Sequence, residues 1–234
     1  GGETQGRHLF LAQGARFAKW RAVIDIGAGI PTTACLAANA EALARYAALC
    51  QEATIVPIVE PEVLMEGGQT LARCGEVTAE VLHQVFEQIH RQGVILEAMI
   101  LKPNMVLPGL SSTVPVTLIE IADATVDCLV RAVPAAVAGV AFLSGGQPAL
   151  LATARLNTLN MRTDSRGTAP LPGIPWPLTF SFGRALQQPA LRLWAGDDAN
   201  RDAAQQALLH RARCNGAAAR GAYLSATDVD ALPA

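Results

Sequence analysis

The chain has 234 residues, 51% of them hydrophobic and 16% charged, which is enough to bury one sizeable core. A net charge of −2, from 18 basic and 20 acidic side chains, excludes a general electrostatic hold on nucleic acid or on an anionic membrane. No apolar run approaches the roughly 20 residues of a membrane span.

A β-rich run at residues 20–26 comes first, with Lys19, Trp20 and Arg21 at its start. A helical stretch over 32–50 follows, with Leu36, Leu43, Tyr46 and Ala47 on one face. The second run, 55–60, leads to a helix over 70–91 carrying Val77, Val81, Leu82, Val85 and Ile89. The third run ends at Lys102, after Leu96, Met99, Ile100 and Leu101, and a helix spans 118–133. The fourth run, 140–144, precedes a helix over 149–160. The tract 163–177 (TDSRGTAPLPGIPWP) reads as a polar, Pro/Gly-rich surface loop. The fifth run, 178–182, is followed by helical sequence to about residue 219, and 225–234 reads as a disordered tail. Strands separated by long helices imply parallel pairing through right-handed crossovers. Five such βα units fill the chain as a single domain, whereas a complete eight-unit barrel typically takes ~250 residues.

The five cysteines (Cys35, Cys50, Cys74, Cys128, Cys214) are odd in number and form no CxxC pair. The first residues lack a secretory pattern, so reduced thiols in a cytoplasmic protein are expected. His83 and His90 fall seven apart on one helix, which is not metal-ligand spacing, and no metal or other cofactor is expected. Sixteen of the 18 basic residues are arginine, leaving only Lys19 and Lys102 as amines. Arginine cannot replace lysine where an amine must lose a proton and attack.

In a parallel α/β array the C-terminal strand ends converge on one rim, where chemistry is placed. Lys102 follows an apolar run and is stopped by Pro103. Burial would disfavour its charged form and free the lone pair, with Lys19 as a second cation nearby; a lysine snorkelling at a strand end is the plain alternative. Glu60 and Glu62 are two apart and face one side of an extended strand, placed to shuttle protons during imine formation or, alternatively, to form a solvated acidic turn. Ser144-Gly145-Gly146 and Gly183-Arg184 each close a strand before a helix and suit a phosphate, although glycine pairs also serve plain turns.

Five segments carry a resemblance: residues 17–21 (FAKWR), 55–62 (IVPIVEPE), 101–106 (LKPNMV), 142–147 (FLSGGQ) and 179–187 (TFSFGRALQ). In these the chain closely resembles class I (Schiff-base) fructose-bisphosphate aldolase, over nearly its whole length. The resemblance implies an incomplete (β/α)8 barrel of TIM type, with five βα units corresponding to strands 4–8 of the family barrel. It implies that Lys102 forms an imine with dihydroxyacetone phosphate. Glu60 would handle protons, Glu62 would belong to the same hydrogen-bond network, and Lys19 would tune the nucleophile and hold substrate. Arg21 would lie near the second phosphate; Ser144, Gly145, Ser181, Gly183 and Arg184 would form the first phosphate site.

The implied reaction is reversible cleavage of fructose 1,6-bisphosphate to two triose phosphates in glycolysis, without a metal. The implied partners are a phosphorylated sugar and further copies of the chain, as a tetramer by family resemblance. Against the family pattern, the first three barrel strands precede the point where this chain begins, and an aspartate and a lysine of the family's site fall in that portion. The segment between Gly6 and Phe17 is shorter, 163–172 is inserted, Phe182 replaces tyrosine, and the terminal tyrosine tail is absent. A phosphosugar-binding or protein-interaction module on the same scaffold is the alternative reading.

Overall fold

Two hydrophobic periods alternate along the chain, and each finds its layer. The computed structural model describes residues 13–161 and 174–225. Strand β1 (Phe17–Ile24) leads to α1 (Thr33–Glu52), β2 (Val56–Val63) to α2 (Leu71–Arg91), and β3 (Ile100–Leu101) to α3 (Leu118–Ala132). Then come β4 (Gly139–Phe142), α4 (Ala149–Asn160), β5 (Leu178–Phe180), α5 (Arg184–Trp194) and α6 (Arg201–Ala218).

The strands lie in chain order, β1-β2-β3-β4-β5, and every neighbouring pair is parallel. Right-handed crossovers that always step in the same direction put every helix on one face of such a sheet. A sheet wound this way is an arc of barrel wall rather than a doubly wound sheet, and the five expected βα units are all present.

The core fills the space between strands and helices. Ile24, Val59, Val63, Leu101, Val140 and Phe142 from the sheet meet Leu36, Leu43, Val77, Leu82, Ile89, Ile121, Leu129 and Leu156 from the helices, all buried. At roughly 25 cal/mol per Å² of apolar surface removed from water, this interface is the main force holding the layers together.

All five strands differ in their bounds from the sequence expectation. β2 runs on to Val63 rather than ending at 60, and β4 ends at Phe142 rather than 144. β1 begins at Phe17 because all eight of its residues pair with β2, from Phe17↔Val56 to Ile24↔Val63. Lys19, Trp20 and Arg21 therefore sit within the strand rather than at its start. β3 is only two residues long, because Leu96–Ala98 turns as a 3-10 helix before it. β5 ends at Phe180, although the Ser181 N–H still donates to the Phe142 carbonyl at 2.8 Å.

The loop expected at 163–177 lies outside the described residues except for 174–177, where Trp176 Nε1 donates to the Pro134 carbonyl at 2.9 Å. The tail expected at 225–234 lies outside them except for Ser225. Among the described residues no helix is long and apolar enough to cross a membrane. All five cysteines lie on helices as thiols, and only Cys35 is exposed. Burial pushes the Cys128 thiol up to about 12, with Cys74 beside it adding to the effect.

Helix starts follow their capping residues. The Thr32, Thr70 and Thr117 side chains accept from the backbone N–H groups of Cys35, Arg73 and Glu120. At Thr117 the box closes: the Glu120 carboxylate accepts from the Thr117 backbone N–H (2.8 Å) and hydroxyl (2.7 Å). These bonds, the backbone one foremost, hold the Glu120 carboxyl below its usual range. A depressed carboxyl stabilises the fold above its unfolded-state pKa and loses that contribution as pH falls through its folded value. Thr117→Ala removes the N-cap acceptor of the Glu120 N–H and should lower stability by about 1 kcal/mol. In urea denaturation its midpoint should stay below the parent's across the acidic range, because the cap bond itself does not titrate.

The loop after β3 packs directly on the loop after β2, and that contact needs a glycine. Gly109 N–H donates to the Gln69 carbonyl, Leu110 N–H to Met65 and Ser111 N–H to Gly67, at 2.8, 2.8 and 3.0 Å. A Cβ on Gly109 would stand 2.2 Å from the Gly67 carbonyl oxygen, so the two backbones would have to separate. Gly109→Ala is expected to cost about 2 kcal/mol, read as a lower urea midpoint with an unchanged m-value.

Candidate active site

Alternation along β1 and β2 sorts the charged residues from the core. In β1, Ala22 and Ile24 are buried toward the helices, and the Trp20 ring lies 5.8 Å from that of Tyr46 on α1. Lys19 and Arg21 consequently project from the opposite face. In β2, Val59 and Val63 enter the core, so Glu60 and Glu62 take the face shared with Lys19 and Arg21. Pro61 does not turn the chain: it pairs with Ala22 inside the strand. Lys102 follows β3 directly, and its N–H donates to the Val59 carbonyl at 2.8 Å, which carries the ladder one residue past the strand.

Three of the expected catalytic residues meet at one carboxylate. Glu60 Oε1 lies 3.1 Å from Lys102 Nζ, and Glu60 Oε2 lies 3.1 Å from Lys19 Nζ. The two amines differ in exposure: the Lys102 side chain is 12% exposed, that of Lys19 42%. Beside them Arg21 Nε pairs with Glu62 Oε2. A guanidinium has five N–H donors, so this pair leaves its two terminal nitrogens for another ligand.

The glycine turn after β4 adjoins the acidic pair. Ser144 is buried, and its carbonyl accepts from the Gln147 N–H at 2.9 Å. Gly145 and Gly146 have φ of +55° and +90°, a conformation that favours glycine. A Cβ on Gly145 would lie 3.8 Å from Glu62 Oε1, and one on Gly146 would lie 3.5 Å from Arg184 Nη2. The ends of β2, β4 and β5 are thus contiguous through Glu62, the turn and Arg184. Ser181 and Gly183 are held to this rim by backbone bonds: Ser181 N–H to Phe142, and the Gly183 carbonyl accepting from Leu186 and Gln187. Phe182 is buried, its ring 5.5 Å from that of Phe180.

Two supporting residues were not singled out in the sequence. Buried Asn104 accepts from the Val63 N–H at 3.0 Å and donates to Thr78 Oγ1 and the Met105 carbonyl, tying the end of β2 to the segment after Lys102. Its signal was present: a polar residue two past Lys102 in an otherwise apolar stretch. Arg155 on α4 donates to Gln147 Oε1 at 2.8 Å, and only the packing of α4 against the turn reveals that contact.

A family model described as class I fructose-bisphosphate aldolase matches residues 4–232. The probable fructose-bisphosphate aldolase class 1 of Xanthomonas axonopodis pv. citri is 49% identical over 215 residues, which are 92% of this chain and 62% of that protein. Fructose-bisphosphate aldolase of Dictyostelium discoideum is 48% identical over 216 residues, 92% of this chain and 58% of that one. Among solved structures, fructose-bisphosphate aldolase from Plasmodium falciparum, in a ternary complex with TRAP and a small-molecule inhibitor, superposes with a TM-score of 0.89. It is 42% identical, and the match covers 95% of this chain and 62% of that one. The chain therefore spans about three-fifths of the length of these relatives. The singly wound five-strand sheet agrees with that neighbour's fold, and at 49% identity over 92% of its residues this chain belongs to the class I fructose-bisphosphate aldolase family.

Proposed function

We propose that this chain carries the Schiff-base centre of a fructose-bisphosphate aldolase and acts in the reversible cleavage of fructose 1,6-bisphosphate. The observation that supports this most is the Lys102 amine, withdrawn from solvent and 3.1 Å from a buried carboxylate on the neighbouring strand. The neutral amine attacks the ketose carbonyl at C2. Glu60, within proton-transfer distance of that nitrogen, delivers the proton with which the carbinolamine loses water. The resulting iminium withdraws electrons from the C3–C4 bond. The Glu60 carboxylate, deprotonated in the dehydration, accepts the C4 hydroxyl proton, the bond breaks, and glyceraldehyde 3-phosphate leaves. The electron pair is held as an enamine, which takes a proton at C3. Water then hydrolyses the iminium, releasing dihydroxyacetone phosphate and restoring the amine.

The remaining groups position the substrate. Lys19 shares the Glu60 carboxylate and holds it between two ammonium groups. Glu62 orients Arg21, whose terminal nitrogens take the second phosphate. The hydroxyls of Ser144 and Ser181, the backbone at Gly145 and Gly183, and the Arg184 guanidinium take the first. The phosphorylated sugar is the partner this arrangement fits. A glycolytic role, a cytoplasmic setting and a homotetramer are the companion readings from family membership. The test is to incubate the chain with dihydroxyacetone phosphate, reduce with borohydride and map the product by peptide mass. A stable adduct on Lys102 is expected, and a folded sample that yields none would sink the proposal.

A further inference from the structure

Two prolines interrupt the strand ladder beside the candidate nucleophile. Carried on from Val59↔Leu101, the register of β2 and β3 sets Glu60 opposite Lys102, Pro61 opposite Pro103 and Glu62 opposite Asn104. In a parallel ladder the Lys102 carbonyl accepts from the residue after Glu60, but that residue is Pro61, which has no N–H. Among the described residues the Lys102 backbone is therefore joined to β2 by its own N–H alone, to the Val59 carbonyl at 2.8 Å. Two residues further on, the ladder would send the Val63 N–H to the Asn104 carbonyl. It goes instead to the side chain, Asn104 Oδ1, at 3.0 Å. That side chain closes the gap the two prolines leave. On the opposite side the Leu143 N–H donates to the Pro103 carbonyl at 3.0 Å, which fixes the same segment to β4.

The amide is itself held in place. Asn104 Nδ2 donates to Thr78 Oγ1 on α2 at 3.2 Å and to the Met105 carbonyl at 3.0 Å. Both Asn104 and Thr78 are buried, so water cannot replace these bonds if one partner is removed. We propose that Asn104 is a positioning residue for imine formation: through the Val63 N–H it holds the Lys102 backbone in register with Glu60, and Thr78 locks its amide in the orientation this needs. The role rests on the Schiff-base reading of Lys102. What the brace maintains is the 3.1 Å separation of Lys102 Nζ and Glu60 Oε1. With a single ladder bond at Lys102, loss of the next bond along frees the segment to shift, and a misplacement of ~1 Å can cost about 10²-fold in rate.

The test is a quenched time course of borohydride trapping at Lys102 over a range of dihydroxyacetone phosphate concentrations, with urea denaturation of each variant beside it. Asn104→Ala should lower the maximal trapping rate by about 10- to 100-fold. The half-saturating concentration should not change, because the phosphate-binding groups lie on other strands. Thr78→Val keeps the side-chain shape but not the hydroxyl, and should also slow trapping. Thr78→Ser keeps the hydroxyl and should trap at the parent's rate, although loss of a buried methyl lowers its stability. A merely structural role ties rate to stability and does not separate these two variants in that way. Parent rates in Asn104→Ala and Thr78→Val overturn the role, as does a raised half-saturating concentration at an unchanged maximal rate, or equal slowing by Val and Ser. If Asn104→Ala does not fold, the Thr78 pair decides. A folded parent that forms no Lys102 adduct overturns the Schiff-base reading, and the positioning role with it.

Discussion

Lys102→Arg is expected to reduce the borohydride-trapped adduct with dihydroxyacetone phosphate to background while the chain stays folded. Arginine keeps the positive charge and can still pair with Glu60, whose oxygen lies 3.1 Å from the lysine nitrogen. What it lacks is an amine that gives up a proton and attacks a carbonyl. The substitution therefore separates the charge at this position from its nucleophilicity. Lys19 is the only other lysine in the chain and serves as an internal control, since it pairs with the second oxygen of the same carboxylate but is far more exposed. Peptide mapping that finds an undiminished adduct on Lys19 in the Lys102→Arg variant would transfer the chemistry to the wrong amine and refute the assignment. A circular dichroism spectrum matching the parent's secures the interpretation.

Glu60→Gln should act on two quantities at once. The amide preserves the shape of the side chain but no longer carries the charge shared by two ammonium groups, nor the proton that imine formation needs. Adduct formation should slow by about 10²–10⁴, the usual contribution of a positioned acid–base group. Stability should fall as well, because the largely buried Lys102 amine would lose its carboxylate partner. Breaking a fully buried pair costs ~3–5 kcal/mol, but Lys19 is exposed and screened by solvent, so about 2 kcal/mol is expected here. Urea denaturation reads the second effect and a quenched time course of adduct formation reads the first. The neighbouring Glu62→Gln should leave the trapping rate closer to the parent's, since Glu62 pairs with Arg21 and not with the nucleophile. Equal trapping rates for Glu60→Gln and the parent would remove Glu60 from the proton path.

Much of the candidate site was legible as a set of residue types. A lysine closing an apolar run before a proline, two glutamates at strand spacing and two glycine-bearing strand ends all stood out in the chain. Their association was less legible. β1 illustrates why: placing Lys19 at the strand's start was off by two residues, and only pairing along the full length of β2 shows it within the strand. A slip of one residue in that register would have turned Lys19 and Arg21 toward the helices. Arg155 was hidden for a different reason, since nothing in a helical repeat says which neighbouring loop a guanidinium will reach.

The order and kind of the elements and the family itself were determined by the sequence alone. These are local properties: hydrophobic period and contiguous motifs are written within a few consecutive residues. Only the tertiary structure decided that one carboxylate bridges two lysines, that Arg21 lies against Glu62, and that Arg184 lies over Gly146. Such partners stand far apart in the chain, 41 residues for Arg21 and Glu62, and they meet only because parallel strands in a set register bring them to one face. Strand register is the cooperative outcome of burying every apolar face at once, which no short stretch of sequence contains.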